Sequence, residues 1–167
     1  MIDDLHAHIL SLRRYAYALC RNDTDAEDLV QETLVKAIAA ADSYCSDRDL
    51  RAWLFSILHN TFMSHRRQFA RRSRAATFLY ASASDTAEPT HPERQVDAQH
   101  TLRMLGRLTH DQQAVLILIA VEGLSYEEAA QVLDIPVGTL MSRLARGRER
   151  LRRLAGETGG NKLKAVR

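Results

Sequence analysis

The chain has 167 residues, 46% of them hydrophobic and 26% charged, and a formal net charge of +2. That length allows one ordinary domain or two small helical ones, and no apolar run approaches the roughly 18 residues that a membrane span needs. Cys20 and Cys45 lack a CxxC spacing and form no zinc pattern with the scattered histidines, so two reduced thiols are expected, with no metal and no cofactor.

The opening "MIDDLHAHILSLRRYAYAL" starts with acids and has no small-residue cleavage site, so it reads as a helix rather than a signal peptide. A cytoplasmic protein without membrane insertion is expected. Leu5, Ile9, Leu12, Ala16 and Leu19 recur at helical spacing. "NDTDAED" breaks that pattern and supplies N-cap residues for a second helix ending near Ala41. Counting about 100° per residue from Leu29, the residues Val30, Leu34, Ala37 and Ile38 cluster as its core stripe. Leu29 then falls on the opposite side with Asp25, Asp28 and Glu32, an apolar centre in a charged rim, as a protein–protein contact requires.

"DSYCSDRD" reads as a loop, and a third helix runs from about Asp49 through "LRAWLFSILHNTFMSHRRQ". Trp53, Leu54, Ile57 and Leu58 read as its core. Beyond it, five arginines interleave with Phe62, His65, Phe69 and Phe78. That mixture suits single-stranded nucleic acid, where bases stack and phosphates pair. A basic helix end that complements the dipole accounts for two or three arginines more easily than five.

Residues 81–95, "ASASDTAEPTHPERQ", have linker composition, with two prolines and almost no bulky apolar side chains. Fully extended, such a segment reaches at most about 50 Å, enough to place two domains on separate sites of one long partner. The helical pattern returns in "VDAQHTLRMLGRL". The next helix has Thr109 as N-cap with Gln112 at capping-box spacing, and ends at Gly123. Ser125 and Glu128 repeat the box before "YEEAAQVL". "DIPVG" is a tight break, a last helix runs to about Leu154, and the tail from Gly156 reads as frayed.

A short helix, a turn and a basic helix make a helix-turn-helix layout. Leu140, Leu144, Gly147, Leu151 and Leu154 share one side of the last helix and are expected to pack inward. Its outer N-terminal end carries Gly138, Thr139, Met141, Ser142 and Ala145, small enough for close approach to a major groove, with Arg146 one turn on to reach a guanine. Flanking arginines, Arg143 and Arg150 among them, suit phosphates.

Charge is unevenly spread. Residues 23–32 hold Asp23, Asp25, Glu27, Asp28 and Glu32 and no base; residues 66–74 hold Arg66, Arg67, Arg71, Arg72 and Arg74 and no acid. Residues 143–153 hold six arginines against the single acid Glu149. One catalytic cleft has no need of this layout. A protein that meets one partner with acids and a polyanion with bases does.

"DAEDLVQETLVKAI", "LRAWLFSILHNTF" and "EGLSYEEAAQVLDIPVGTLMSRLARGRERL" closely resemble, in this order, the extracytoplasmic-function (ECF) sigma factors of the sigma-70 family. "HNTF" and "LRAWLF" further resemble the alphaproteobacterial general-stress branch. The resemblance implies an all-α protein of two small helical domains on a flexible linker. These are a region 2-like domain over residues 1–78, a linker over 79–95, a region 4-like helix-turn-helix domain over 96–156 and a tail over 157–167.

It also implies jobs. Asp25, Asp28, Leu29, Gln31 and Glu32 would bind the β′ clamp helices of core RNA polymerase, and the second domain the β flap. Asn60, His65, Arg66, Arg67, Arg71, Arg72 and Arg74 would capture the −10 element. Gly138, Thr139, Met141, Ser142, Arg143, Ala145, Arg146 and Arg150 would serve the −35 element. In the family Met141 is usually lysine or arginine, and a larger residue stands at Ala145, which leaves the −35 preference open. The resemblance further implies an anti-sigma factor partner, promoter DNA, no small-molecule substrate and no catalytic activity of the chain's own. The double change Leu29→Asp with Glu32→Arg is expected to abolish polymerase binding while leaving the helices folded.

Two other readings are a dimeric helix-turn-helix regulator and a sigma-like decoy that sequesters an anti-sigma factor. The first leaves the acidic helix unexplained. The second is disfavoured by the arginines on the DNA face and by the lack of room for the receiver domain such decoys carry. An enzyme is least expected, because no carboxylate pair, nucleophile set or phosphate loop stands out.

Overall fold

The structure, a computed structural model, describes residues 2–44, 49–77 and 104–164. The expected linker, Cys45, Phe78, residues 96–103 of the helix expected over 96–108, and the last three residues lie outside these. Among the described residues every regular element is helical. Contacts divide the chain into two compact units, Met1–Thr90 and His91–Arg167.

The first unit holds α1 (Ile2–Cys20), α2 (Asp23–Ala39), a 3₁₀ turn (Ala41–Ser43) and α3 (Leu50–Thr77). α1 and α3 both pack on α2 and on each other. Arg21, at φ 63°, turns the chain out of α1. Asn22 then caps α2 by accepting from the Asp25 backbone N–H at 2.7 Å. The core contains Leu5, Leu12, Tyr15, Ala16 and Leu19 of α1 with Leu54, Phe55, Leu58 and Phe62 of α3. Tyr15 is fully enclosed: its ring meets Phe55 edge-on at 5.4 Å and its hydroxyl lies 3.0 Å from His59 Nδ1. Burial drives the phenol pKa above its ordinary value, so the group stays neutral. Trp53, expected in the core, is half-buried and meets the Tyr44 ring at a 48° tilt, with centroids 4.9 Å apart.

Three expectations need correction here. The core stripe of α2 is Ala26, Leu29, Val30, Thr33 and Ala37. Leu29 is 2% exposed and part of the core, whereas Ile38, assigned inward, is 49% exposed. Phe62, grouped with stacking residues for nucleic acid, is also buried. And α3 does not give way after Gln68 but continues to Thr77. The apolar period stops at Phe62, yet the stretch beyond holds no proline or glycine and is rich in alanine and arginine, both strong helix formers.

The second unit holds helical residues 104–106, α4 (His110–Leu116), a π-helical turn (Ile117–Val121), α5 (Tyr126–Leu133) and α6 (Val137–Lys164). Both capping boxes form, Thr109 with Gln112 and Ser125 with Glu128. In the π turn the Glu122 N–H reaches back five residues to the Ile117 carbonyl at 2.9 Å. Gly123 at φ 68° ends the segment, as its position after the apolar run implies. Asp134, at φ 52°, closes α5 and starts the break before α6. The tail read as frayed is helical to Lys164, since glycine lowers helix stability by only about 1 kcal/mol per residue and no proline interrupts.

α6 packs on α4 and α5. Leu140, Leu144, Gly147 and Leu154 are buried along one side, as periodicity implies, and Leu151 is half-buried. At Gly147 α6 lies close against α4. A Cβ built there would lie 2.9 Å from Leu116 Cδ1.

Candidate nucleic-acid and protein interfaces

Burying Leu29 and its neighbours fixes what α2 shows to solvent. Counting about 100° per residue from Leu29, the core residues span roughly 0–100°, and Asp28, Gln31, Val35 and Ile38 gather on the opposite side. All four are exposed, Val35 at 66%. The exposed apolar residues of this face are Val35 and Ile38, two turns toward the C-terminus from Leu29. Periodicity placed Ile38 inward because it fits a helical apolar stripe, and placed Val35 on neither side. The signal that could have found them is their i, i+3 spacing in register with Asp28 and Gln31.

Asp25 and Glu32 sit on a flank of this face rather than at its middle. Asp25 is held by the Asn22 side chain. Glu32 is shared between Lys36 Nζ at 2.7 Å and His65 Nε2 at 2.9 Å, and Lys36 also donates to Thr61 Oγ1 at 3.1 Å. The Lys36 hydrogen bond is the main reason the Glu32 carboxyl is held below its ordinary pKa, with His65 adding to it and partial burial opposing. This cluster ties α2 to α3 where the arginine-rich half of α3 begins. It joins one expected polymerase residue to one expected −10 residue.

Beyond Phe62 the side chains of α3 leave the core. Asn60, His65, Arg66, Arg67, Arg71 and Arg72 are exposed, as is Phe69, and Arg74 lies on the same helix with its side chain outside the described residues. Arg66 lies 5.9 Å from the Phe62 ring centroid, so the buried aromatic supports the guanidinium instead of a base. The result is one continuous basic rod, not a loop, with Phe69 as its exposed aromatic.

On α6 the buried leucines turn Met141, Ala145 and Arg146 to solvent, with Gly138 exposed and Thr139 and Ser142 half-buried beside them. Ser142 Oγ donates to the Thr139 carbonyl at 2.9 Å and receives a long 3.4 Å contact from Arg146 Nη2. Arg150 is exposed one turn beyond Arg146. Glu149 is engaged by Arg152 and Arg153, at 3.4 and 3.3 Å. Arg143 differs from the other arginines: it turns toward α4 and pairs with Asp111 at 3.1 Å. Asp111 was not singled out in the sequence, and only the packing of α4 on α6 brings it to Arg143. Between the start of α4 and the start of α6 lies a polar concavity of about 370 Å³, bordered by Thr109, Asp111, Thr139, Ser142, Arg143 and Arg146.

Cys20 is half-buried, and burial together with nearby Asp25 pushes its thiol up to about 12, so it is a neutral, unreactive sulfhydryl near neutral pH. Among the described residues no group of histidine, cysteine and acidic side chains is placed to hold a metal ion. No described helix is long and apolar enough to cross a membrane.

Comparison with known proteins agrees with this layout. A family model described as "Sigma2 domain of PhyR" matches residues 5–59, and one described as "Sigma-70, region 4" matches residues 100–151. The chain is similar to the ECF RNA polymerase sigma factor EcfG of Rhodopseudomonas palustris, with 39% identity over 89% of this chain and 81% of that one. It is 34% identical to the RNA polymerase sigma factor CnrH of Cupriavidus metallidurans over 86% of this chain and 80% of that one. Among solved structures it resembles the sigma factor RpoE of Bartonella quintana, in complex with the anti-sigma factor NepR. The TM-score is 0.79 and the identity 36%, over 92% of this chain and 95% of that one. CnrH in complex with the cytosolic domain of CnrY gives a TM-score of 0.68 and 30% identity, over 93% and 88% of the two chains. With two helical units, an α2 face of acids around an apolar centre and two arginine surfaces, the chain belongs to the ECF RNA polymerase sigma factors, the sigma-70 group that directs promoter-specific initiation of transcription.

Proposed function

We propose a division of labour among three surfaces. The exposed α2 face binds core RNA polymerase at the β′ clamp helices, through Asp28, Gln31, Val35 and Ile38 with Asp25 and Glu32 at the rim. Leu29 supports this face from beneath. The basic second half of α3, from Asn60 through Arg74, captures the −10 element. The N-terminal turns of α6 read the −35 element, Met141, Ser142, Ala145 and Arg146 toward bases and Arg150 toward phosphate, while the second domain rests on the β flap. The working domains are residues 1–78 and 96–156, joined by 79–95.

The observation that carries this reading is the sidedness of α6. The leucines that seat it leave Met141, Ala145 and Arg146 on the outward side with small neighbours, a shape suited to a major groove. As a sigma factor the chain supplies contacts and the polymerase supplies the chemistry, so it has no catalytic residue of its own, needs no cofactor or small-molecule substrate, and works in the cytoplasm. An anti-sigma factor is the expected regulator, because two of the similar structures are sigma factors held by one.

Run-off transcription with purified core polymerase tests the whole proposal. Promoter-specific transcripts that depend on the chain are expected. A chain that binds an anti-sigma factor but yields no such transcripts would be a decoy instead, a reading to which the PhyR-type match over residues 5–59 gives some weight.

A further inference from the structure

Six arginines on one helix, Arg143, Arg146, Arg148, Arg150, Arg152 and Arg153, add affinity for any DNA, whatever its sequence. One of the six pairs across helices, whereas Arg152 and Arg153 pair with Glu149 on their own helix. Arg143 lies on the flank of the reading face, at the border of the concavity, and its guanidinium already has an anionic partner in Asp111 Oδ2 at 3.1 Å. The arginine side chain is 29% exposed and the aspartate 49%, so the pair sits at the protein surface, open to an incoming phosphate. Among the described residues Arg146, bordering the same concavity, meets the neutral Ser142 hydroxyl at 3.4 Å.

We propose that Asp111 is an intramolecular competitor for backbone phosphate at Arg143. This rests on α6 being the −35 reader. A carboxylate and a phosphate are alternative ligands for the same planar donor fork. While Asp111 holds Arg143, a phosphate approaching this flank meets a neutralised pair, and it must displace the carboxylate and tolerate it nearby. Contacts to phosphate add affinity without sequence information, whereas contacts to base edges add discrimination. Restraining one phosphate-binding arginine while leaving Arg146 available shifts the balance toward sequence reading. Asp111 is thus an affinity-limiting residue that need not touch a base: it lowers the sequence-independent share of binding. The pairing depends on tertiary structure, since 32 positions separate the two residues and only the packing of α4 on α6 joins them.

The test uses holoenzyme reconstituted from core polymerase and the full chain, with a fluorescently labelled promoter duplex and a scrambled duplex of equal length, across a salt series. Four chains are compared: wild type, Asp111→Asn, Arg143→Gln and the double variant. Freeing Arg143 should tighten binding by roughly three- to tenfold on both duplexes, the range expected for releasing a surface ion pair and removing a nearby like charge. The plot of log affinity against log salt should steepen by about 0.9, the contribution of one added phosphate contact. The ratio of promoter to scrambled affinity should not rise. In the Arg143→Gln background the Asp111→Asn gain should vanish.

An equal gain in both backgrounds means general repulsion by the acid and overturns the proposal. So does a loss of affinity, which would make Asp111 a support that aims Arg143 at DNA. Arg146→Ala separates this failure from failure of the −35 assignment. If Arg146→Ala lowers promoter affinity while Asp111→Asn does nothing, only the competition is wrong. If neither has an effect, α6 is not the reader and both ideas fall.

Discussion

Replacing Leu29 separates a buried support from a surface contact. Leu29 is 2% exposed and packed within the α1–α2–α3 core. Truncation to alanine forfeits burial of most of a leucine side chain and leaves a cavity, together about 2–5 kcal/mol. One kcal/mol shifts the melting point of a domain this small by about 4–8 °C, so Leu29→Ala should lower it by roughly 10–30 °C. Leu29→Asp adds an unpartnered buried carboxylate, raising the cost toward the whole stability of a small domain, about 5 kcal/mol or more. Trp53 makes the assay specific to the first unit, because it is the chain's one tryptophan and packs against Tyr44 there. Its fluorescence should follow urea unfolding of α1–α3, and Leu29→Asp should show an unfolded baseline without denaturant. The expectation that Leu29→Asp with Glu32→Arg leaves the helices folded is therefore replaced by loss of the first unit. A folded Leu29→Asp chain, or a Leu29→Ala cost below about 1 kcal/mol, would refute the placement of Leu29 in the core.

Ile38→Glu, at an exposed position, should change stability by less than about 0.5 kcal/mol yet weaken core-polymerase binding at least tenfold in a pull-down titration; unchanged affinity would remove Ile38 from the interface. Arg146→Ala should cost about 1–3 kcal/mol of −35 recognition and flatten the preference among −35 variants at one position, measured by competition with mutated promoters. Gly147→Val forces a side chain against Leu116 and should destabilise the second unit by about 1–3 kcal/mol, read by hydrogen exchange in α4 and α6; wild-type protection would mean the two helices part freely. Glu32 titrates below its ordinary value in the folded chain, so its stabilising effect is present above the unfolded-state value and disappears as pH falls through the folded one. Wild type should accordingly exceed Glu32→Gln in stability at neutral pH by under about 1 kcal/mol, given the exposure of the cluster, and the gap should close in acid; a gap that persists at low pH would contradict the ion-pair account.

Much of the fold is written locally. Thr109 with Gln112, Ser125 with Glu128, and Gly123 after its apolar run each mark a helix end through chemistry confined to a few neighbouring residues, and each end forms where the sequence places it. The face of α6 was equally legible, because its buried positions are leucines and a glycine while the rest are mostly charged, leaving one possible stripe. α2 offers no such clarity. Leu29, Val30, Leu34, Val35, Ala37 and Ile38 surround much of the helix, and two stripes about 70° apart satisfy the helical period equally well. Only the approach of α1 and α3 selects between them, putting Leu29 inside and Val35 and Ile38 outside. The same holds for Glu32 with His65 and for Asp111 with Arg143, pairs whose members lie on different helices. The sequence by itself therefore determined the helices, their caps, the two basic segments and the outward face of α6, all set by interactions within a turn or two. The tertiary structure decided which side of α2 faces solvent and which arginine of α6 pairs with Asp111, since both depend on helices that meet only when the chain is folded.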